Sequence, residues 1–321
     1  MNPIPTTRVV EIDFTELVSG LRCPEGPVAL ADGSLVVVEM IGERLTHIAP
    51  DGTTTTIADM PGGPNGAALG PDGAMYVCNN GRAMTAIEMN GMLFPGPFDP
   101  SRYLGGSIQR VDMDSGQVTD LYRACEGRPL RAPNDLVMDG NGGFWFTDNG
   151  ITDLLGARTR DVTAIYYARC DGSSIREAIF PADSPNGIGL SADGTQLFWA
   201  ETHTGRVRHR TIIGVGEVAP DDLFGPSDVI YSTPGSQLLD SLAVDAEGWI
   251  NVGTLIGAGI TAIRPDGAFV EFVPTADPIT TNLCFGGPDL RTVYVTASST
   301  GRILVGRWNR PGLRLAHHPA Q

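Results

Sequence analysis

Six times along the chain an apolar run with alternating polar positions is broken by a two-residue turn and then resumed. The copies open at Pro24 (PEGPVALADGSLVVVEM), Pro64 (PNGAALGPDGAMYVCNN), Pro133 (PNDLVMDGNGGFWFTDN), Pro185 (PNGIGLSADGTQLFWAE), Leu239 (LDSLAVDAEGWINVGT) and Thr281 (TNLCFGGPDLRTVYVTA). Period-two alternation is the signature of a half-buried strand, and Asp32-Gly33, Asp72-Gly73, Asn141-Gly142, Asp193-Gly194 and Glu247-Gly248 tolerate the positive φ of a tight hairpin. The sixth copy carries the looser Gly286-Gly287-Pro288-Asp289. A third run often starts after glycine, at Arg44, Arg206 and Arg302, and a polar fourth such as Thr53 to Ile57 completes a four-stranded unit.

Six such units, spaced about 40 to 70 residues apart, cannot each bury both faces alone. Radial stacking solves this with short, protected edges, so the pattern predicts an all-β, six-bladed β-propeller occupying residues 1–321 as a single domain. The run Arg8 to Phe14 precedes the first unit without a hairpin partner, and is expected to become the outer strand of the last blade. Met89 to Gly106, with Pro95, Pro97 and Pro100, is the main insertion, read as a loop that either lids one mouth of the channel or merely connects. A second irregular stretch runs from Gly214 to Ser236.

Composition narrows the partners. A formal charge of −15 repels nucleic-acid backbones and anionic membranes at long range. Cys23, Cys78, Cys125, Cys170 and Cys284 lie far apart without metal-like spacing, as expected of buried free thiols in a reducing compartment. With no apolar run long enough to cross a bilayer and no export-type start in MNPIPTTRVVEIDF, a cytoplasmic location is the expectation. Monomer and small homo-oligomer both remain open.

In a propeller the first strand of each blade lines the axis, so the starts of the six copies should form one ring: Glu25, Asn65, Asn134, Asn186, Asp240 and Asn282. All six carry side-chain oxygen. Polar residues facing channel water would look like this, but carboxylates with amides are also the set a hard divalent cation takes.

The motifs PEGPV, PNDLVMDGNGGFWFTD, SPNGIGLSADGTQLFWAET, DSLAVDAEG and TNLCFGGPDLRTVYVT resemble the SMP-30/gluconolactonase family, also called regucalcin-like and related in fold to diisopropylfluorophosphatase. The resemblance runs from about residue 20 to 310. It implies one central metal ion, with ligands falling on Glu25, Asn134, Asn186 and Asp240. Oxygen-only ligation favours Ca²⁺, with Zn²⁺, Mn²⁺, Fe²⁺ and Mg²⁺ as alternatives.

The resemblance further implies metal-dependent hydrolysis of a small-molecule lactone, with carbonyl polarisation by the metal and attack by a metal-associated water. Glu25 and Asp240 are the catalytic candidates. The resemblance casts Asp240 as the candidate to steer or deprotonate the water, while direct attack by metal hydroxide is the competing route. Asn65, Asn80, Arg82, Asp148 and Glu201 are the substrate-binding candidates. Asp148 either orients Asn134 or the water or caps a turn; His203 either shuttles a proton or is a surface residue; His317 and His318 read as a frayed end.

The rim reads CNNGRAM where gluconolactonases carry a glutamate-histidine-glycine-asparagine stretch. Together with Met84, Ile151, Leu154, Leu255 and Ile256, this favours an apolar lactone over a polyhydroxylated one. Hydrolysis of another cyclic ester or an organophosphate on the same site, and a non-catalytic metal- or ligand-binding propeller, are the competing functions.

Overall fold

The computed structural model describes residues 5–153, 157–221 and 227–317. The described residues contain strands and turns but no helix, and so none long and apolar enough to cross a membrane. Six antiparallel sheets are arranged as the blades of a propeller, and their innermost strands touch in a closed ring.

Blade 1 is Pro24–Ala29, Leu35–Glu39, Arg44–Ile48 and Thr54–Asp59, and blade 2 is Pro64–Leu69, Met75–Asn79, Ser107–Val111 and Val118–Tyr122. Blade 3 is Pro133–Met138, Gly143–Asp148, Thr163–Arg169 and Ile175–Ala182. In blade 4, Pro185–Leu190, Gln196–Glu201 and Arg206–Gly214 are followed by Val229–Ser232. Blade 5 is Leu238–Val244, Ile250–Leu255, Gly259–Ile263 and Phe269–Pro274. Blade 6 consists of Thr280–Gly286, Thr292–Ala297 and Arg302–Arg307, with Thr15–Val18 as its outer strand.

That outer strand is a correction to the sequence expectation. The pairing segment is Thr15–Val18, whereas Thr6–Val9 adds in parallel to Phe269–Pro274 of blade 5. Val10, Ile12 and Phe14, between the two, pack on the cluster around Trp308. The apolar residues of the expected strand are thus used as filling between blades rather than as a ladder.

The core is six wedges, one between each pair of neighbouring blades. Val36 and Val38 meet Met75 and Val77 between blades 1 and 2; Tyr76 meets Phe144 between blades 2 and 3; Trp145 meets Trp199 between blades 3 and 4. Further round, Phe198 meets Leu242, Leu283 meets Ile260, and Tyr294 meets Leu35. Each fully buried Val or Leu contributes about 1.5–3 kcal/mol, so the wedges fix how the blades splay. The five cysteines are free; four are buried and Cys284 is half-buried.

The hairpin turns form as expected. In the first, Gly33 adopts φ 85 and donates to Leu30 O, while Asp32 Oδ1 accepts from the Ser34 N–H at 3.0 Å. The insertion within blade 2, between its second and third strands, departs from a simple loop. Thr85–Met89 and Met92–Gly96 pair as an antiparallel hairpin, whose Leu93 N–H donates to Ser299 O of blade 6 at 2.8 Å. Leu154 and His318 lie outside the described residues, as does 222–226 of the second irregular stretch.

Candidate metal centre and its cavity

Every inner strand loses register with its neighbour near its start. The breaks lie between Glu25 and Val28, Pro64 and Ala67, Pro133 and Leu136, Pro185 and Ile188, Leu239 and Leu242, and Thr280 and Asn282. A bulge re-aims the side chain it contains. Glu25, Asn65, Asn134, Asn186, Asp240 and Thr281 fall at these breaks, and all six line one cavity of ≈ 420 Å³. The sixth member is therefore Thr281, one residue before the expected Asn282.

Asn282 instead faces the opposite, apolar half of the channel, in one layer with Asp135. Its amide donates to Glu25 Oε2 at 2.9 Å. In three blades the corresponding residue is glycine, because the inner strands leave no room for more. A Cβ on Gly26 would lie 2.6 Å from Asn65 O, and one on Gly66 would lie 2.6 Å from Asn134 O. Far from the cavity, Leu313, Leu315 and Ala316 of the C-terminal segment close the lower half.

Among the described residues the axial carboxylates have polar neighbours but no cationic side chain. Glu25 is 2% exposed; burial pushes its carboxyl up, against the pull of Thr281, Asn282 and the Gly26 N–H, which donates to Oε2 at 2.8 Å. Asp240 keeps part of its surface open to the cavity, yet desolvation followed by the Glu25 charge pushes it well above the usual carboxylate range. Asp135 is pushed up to about 7, by burial first and Glu25 second. Asn186 Nδ2 donates to Thr202 Oγ1 at 3.0 Å, leaving its carbonyl with only a 3.4 Å contact from Ser241 Oγ.

Asn134 Oδ1 is buried without a hydrogen-bond partner among the described residues. A buried carbonyl oxygen left unpaired costs about 1–3 kcal/mol, and a hard cation is a partner that would satisfy it together with the two carboxylates. No group of three His, Cys, Asp or Glu side chains suited to a metal occurs among the described residues. The axial set falls outside such a group because half of its donors are amide oxygens, and carboxylate with amide oxygen is the donor chemistry a hard divalent cation takes.

The remaining expected residues divide. Asn65 and Asn80 line the cavity; Asn80 Oδ1 accepts from the Arg82 and Ala83 N–H groups at 3.0 and 3.2 Å. Arg82 turns into an adjoining recess, where it pairs with Glu43. Asp148 and Glu201 do not line the cavity, contrary to expectation, because both are consumed by their own blades. Asp148 accepts from the backbone N–H groups of Arg131, Ala132 and Gly150 at 2.7, 2.7 and 3.0 Å. Glu201 takes Arg208 at 3.0 Å and Thr204 at 2.7 Å. Glu39, at the same register in blade 1, does likewise with Arg44, Thr46 and the Arg22 N–H. A polar residue ending the second strand is a fastening repeated from blade to blade.

His203, read from the sequence as either a proton shuttle or a surface residue, lines the cavity with its Nε2 3.3 Å from Thr152 Oγ1. Burial, then Arg160, lowers its pKa below the usual histidine value. Asn149 and Thr202 also line the cavity. The available signal was position, since Asn149 and the Thr202-His203 pair each directly follow a fastening acid. Of the rim residues, Met84 and Leu255 line the cavity, whereas Ile151 is buried elsewhere and Ile256 is exposed. Much of the apolar wall comes from the hairpin, through Leu93, Phe94, Pro95 and Pro97.

The chain matches the SMP-30/Gluconolactonase/LRE-like region over residues 23–299. It is 27% identical over 218 residues to a lactonase of Staphylococcus saprophyticus, covering 67% of this chain but 58% of that protein. It is also 27% identical over 284 residues to an L-arabinolactonase of Azospirillum brasilense, covering 80% of this chain and 88% of the relative. Among solved structures, a calcium-binding regucalcin of Agrobacterium tumefaciens superposes with a TM-score of 0.72 at 19% identity, over 97% of this chain and 100% of the other, a likeness of fold. With the match extending from the first blade into the sixth, the chain belongs to the SMP-30/gluconolactonase/LRE-like family.

Proposed function

We propose that the protein hydrolyses a lactone, using a divalent cation held by Glu25, Asn134, Asn186 and Asp240. The observation that carries this reading is the unbalanced axis: two enclosed carboxylates without a cationic partner beside the unpaired Asn134 carbonyl, at the floor of a cavity with an apolar wall. Relatives named lactonase and L-arabinolactonase support the reaction class. The oxygen-only donor set suits Ca²⁺ first among divalent ions.

When bound, the cation supplies electrophilic polarisation of a carbonyl and lowers the pKa of a water. The chain's own residues do the rest. Gly26 N–H and Asn282 fix Glu25, and Thr202 fixes the Asn186 amide, so the donors are held before substrate arrives. Asp240 accepts the proton of the attacking water. As the new C–O bond forms, the ring C–O bond breaks, and the departing ring oxygen takes up that proton to give a hydroxy acid. Asn65 and Asn80 offer polar contacts to the ring, while Met84, Leu93, Phe94 and Leu255 exclude water from a hydrocarbon substituent.

The test is elemental analysis of the purified protein, followed by a panel of sugar lactones, alkyl lactones and a phosphotriester assayed with and without chelator. We expect alkyl-lactone turnover that chelation removes and Ca²⁺ restores. Full turnover by chelator-treated protein would refute the metal role, and turnover of the phosphotriester alone would change the reaction class.

A further inference from the structure

We infer that the recess beside the main cavity, lined by Arg22, Arg82 and Arg102, is a carboxylate-binding subsite, so that the preferred lactone carries an anionic group on an apolar linker. This rests on lactone hydrolysis at the axis and adds which lactones are taken.

The chain contains no lysine, so all 22 of its Lys and Arg positions are arginine. Three of them border one recess of ≈ 350 Å³ on a protein whose formal charge is −15. Glu43 holds Arg82 in a two-point ion pair, with Nη2 to Oε2 at 2.8 Å. The guanidinium groups of Arg22 and Arg102 have no hydrogen-bond or ion-pair partner among the described residues. Glu88, the other carboxylate of the wall, is exposed. A planar guanidinium with free N–H donors matches a carboxylate in two-point geometry, and the local positive charge offsets the repulsion an anion meets from the rest of the surface.

The backbone around the recess is held in an unusual state. Cys23, Glu43 and Arg82 adopt φ 53, 53 and 65, a left-handed conformation that is unfavourable for a side-chain-bearing residue. Arg82 is kept there by its N–H, which donates to Asn80 Oδ1. Asn80 lines the main cavity, so one residue links the two compartments. Met40, Ile41, Met84 and Leu93 form walls of both. A ring at the axis, a hydrocarbon segment across the shared walls Met40, Met84 and Leu93, and a carboxylate at Arg22 and Arg102 give the ligand shape that these two adjoining compartments suit.

The test pairs a lactone bearing a carboxylate-tipped alkyl chain with its methyl ester, and separately titrates octanoate into the intact protein by calorimetry. We expect KM for the acid to be about fivefold below that of the ester, as one or two exposed charge pairs allow. The double variant Arg22→Gln/Arg102→Gln should erase that preference and weaken octanoate binding by a similar factor, Arg102→Lys should restore part of it, and added salt should reduce it. Glu43→Gln, which releases Arg82, should tighten octanoate binding, a direction that simple damage to the fold would not produce. Equal KM for acid and ester, with octanoate affinity unchanged in the double variant, would overturn the subsite. If no lactone at all is turned over, the ring-opening reading fails while the octanoate measurement still decides this one.

Discussion

Asp148 and Glu201 end the second strands of blades 3 and 4, while Glu25 and Asp240 sit on the first strands of blades 1 and 5, so hairpins of one design carry acids of two kinds. Asp148 is fully buried, but three backbone N–H groups point at its oxygens, and Glu201 has Arg208 and Thr204. Glu25 and Asp240 have amides, hydroxyls and each other's repulsion. Aimed N–H donors and Arg208 oppose the desolvation of the first pair, although burial still raises the Asp148 carboxyl; the second pair, short of such donors, is relieved by binding a proton or a cation. An enclosed acid points to a ligand only where its own protein leaves the charge unanswered.

Replacing one acid from each kind should separate the two most sharply. Asp240→Asn is expected to cut lactone turnover by at least about a hundredfold while leaving the metal-free protein as stable as wild type or more so, because an uncompensated charge is removed. Asp148→Ala should do the reverse, costing about 2–4 kcal/mol in chemical denaturation through three stranded N–H groups. If Asp240→Asn unfolds the protein as readily as Asp148→Ala, the distinction between them fails. Next in size, Ca²⁺ at about a hundred times its Kd should stabilise wild type by about 2.7 kcal/mol in thermal melts and leave Asp240→Asn unmoved. Asn282→Ala should be milder, near 1 kcal/mol in stability with several-fold weaker Ca²⁺ binding, since Glu25 loses one of its fastenings.

The smallest expected effect is in acid. Burial raises the Glu39 carboxyl, but Arg44, Thr46 and the Arg22 N–H outweigh it and hold the group below its ordinary 4.5. Its contribution is therefore complete above that value and lost as pH falls through the lower folded one. Denaturation midpoints measured across this range should flatten in Glu39→Gln. An unchanged profile would show that the fastening acids do not carry the acid sensitivity.

The blades were readable because each rests on local chemistry that a single hairpin declares: alternating residues around an Asp-Gly or Asn-Gly turn. Five of the six ring positions followed from the same register. The sixth did not, because Thr280-Thr281-Asn282 offers three polar residues and only the position of the bulge chooses among them. Asp148 and Glu201 were misread for a related cause. They are chemically indistinguishable from site acids until their partners, Arg131 N–H or Arg208, are seen in space. The hairpin over the cavity was hidden by Pro95 and Pro97, residues that argue against an interior strand but are tolerated in a two-stranded edge.

The pairing of Thr15 with Val305 sets an order of events during synthesis. The segment around Thr15 is made well before its partner and must wait, unpaired, until the strand through Val305 has left the ribosome before the last blade can be completed. Blades 1 to 5 can add to one another as they emerge, each covering the flank of its predecessor, but the wedge between blades 6 and 1 stays wet until the end. The final step of folding is thus the longest-range one, and a chain stalled before Arg302 would expose an apolar flank at each end of an open arc.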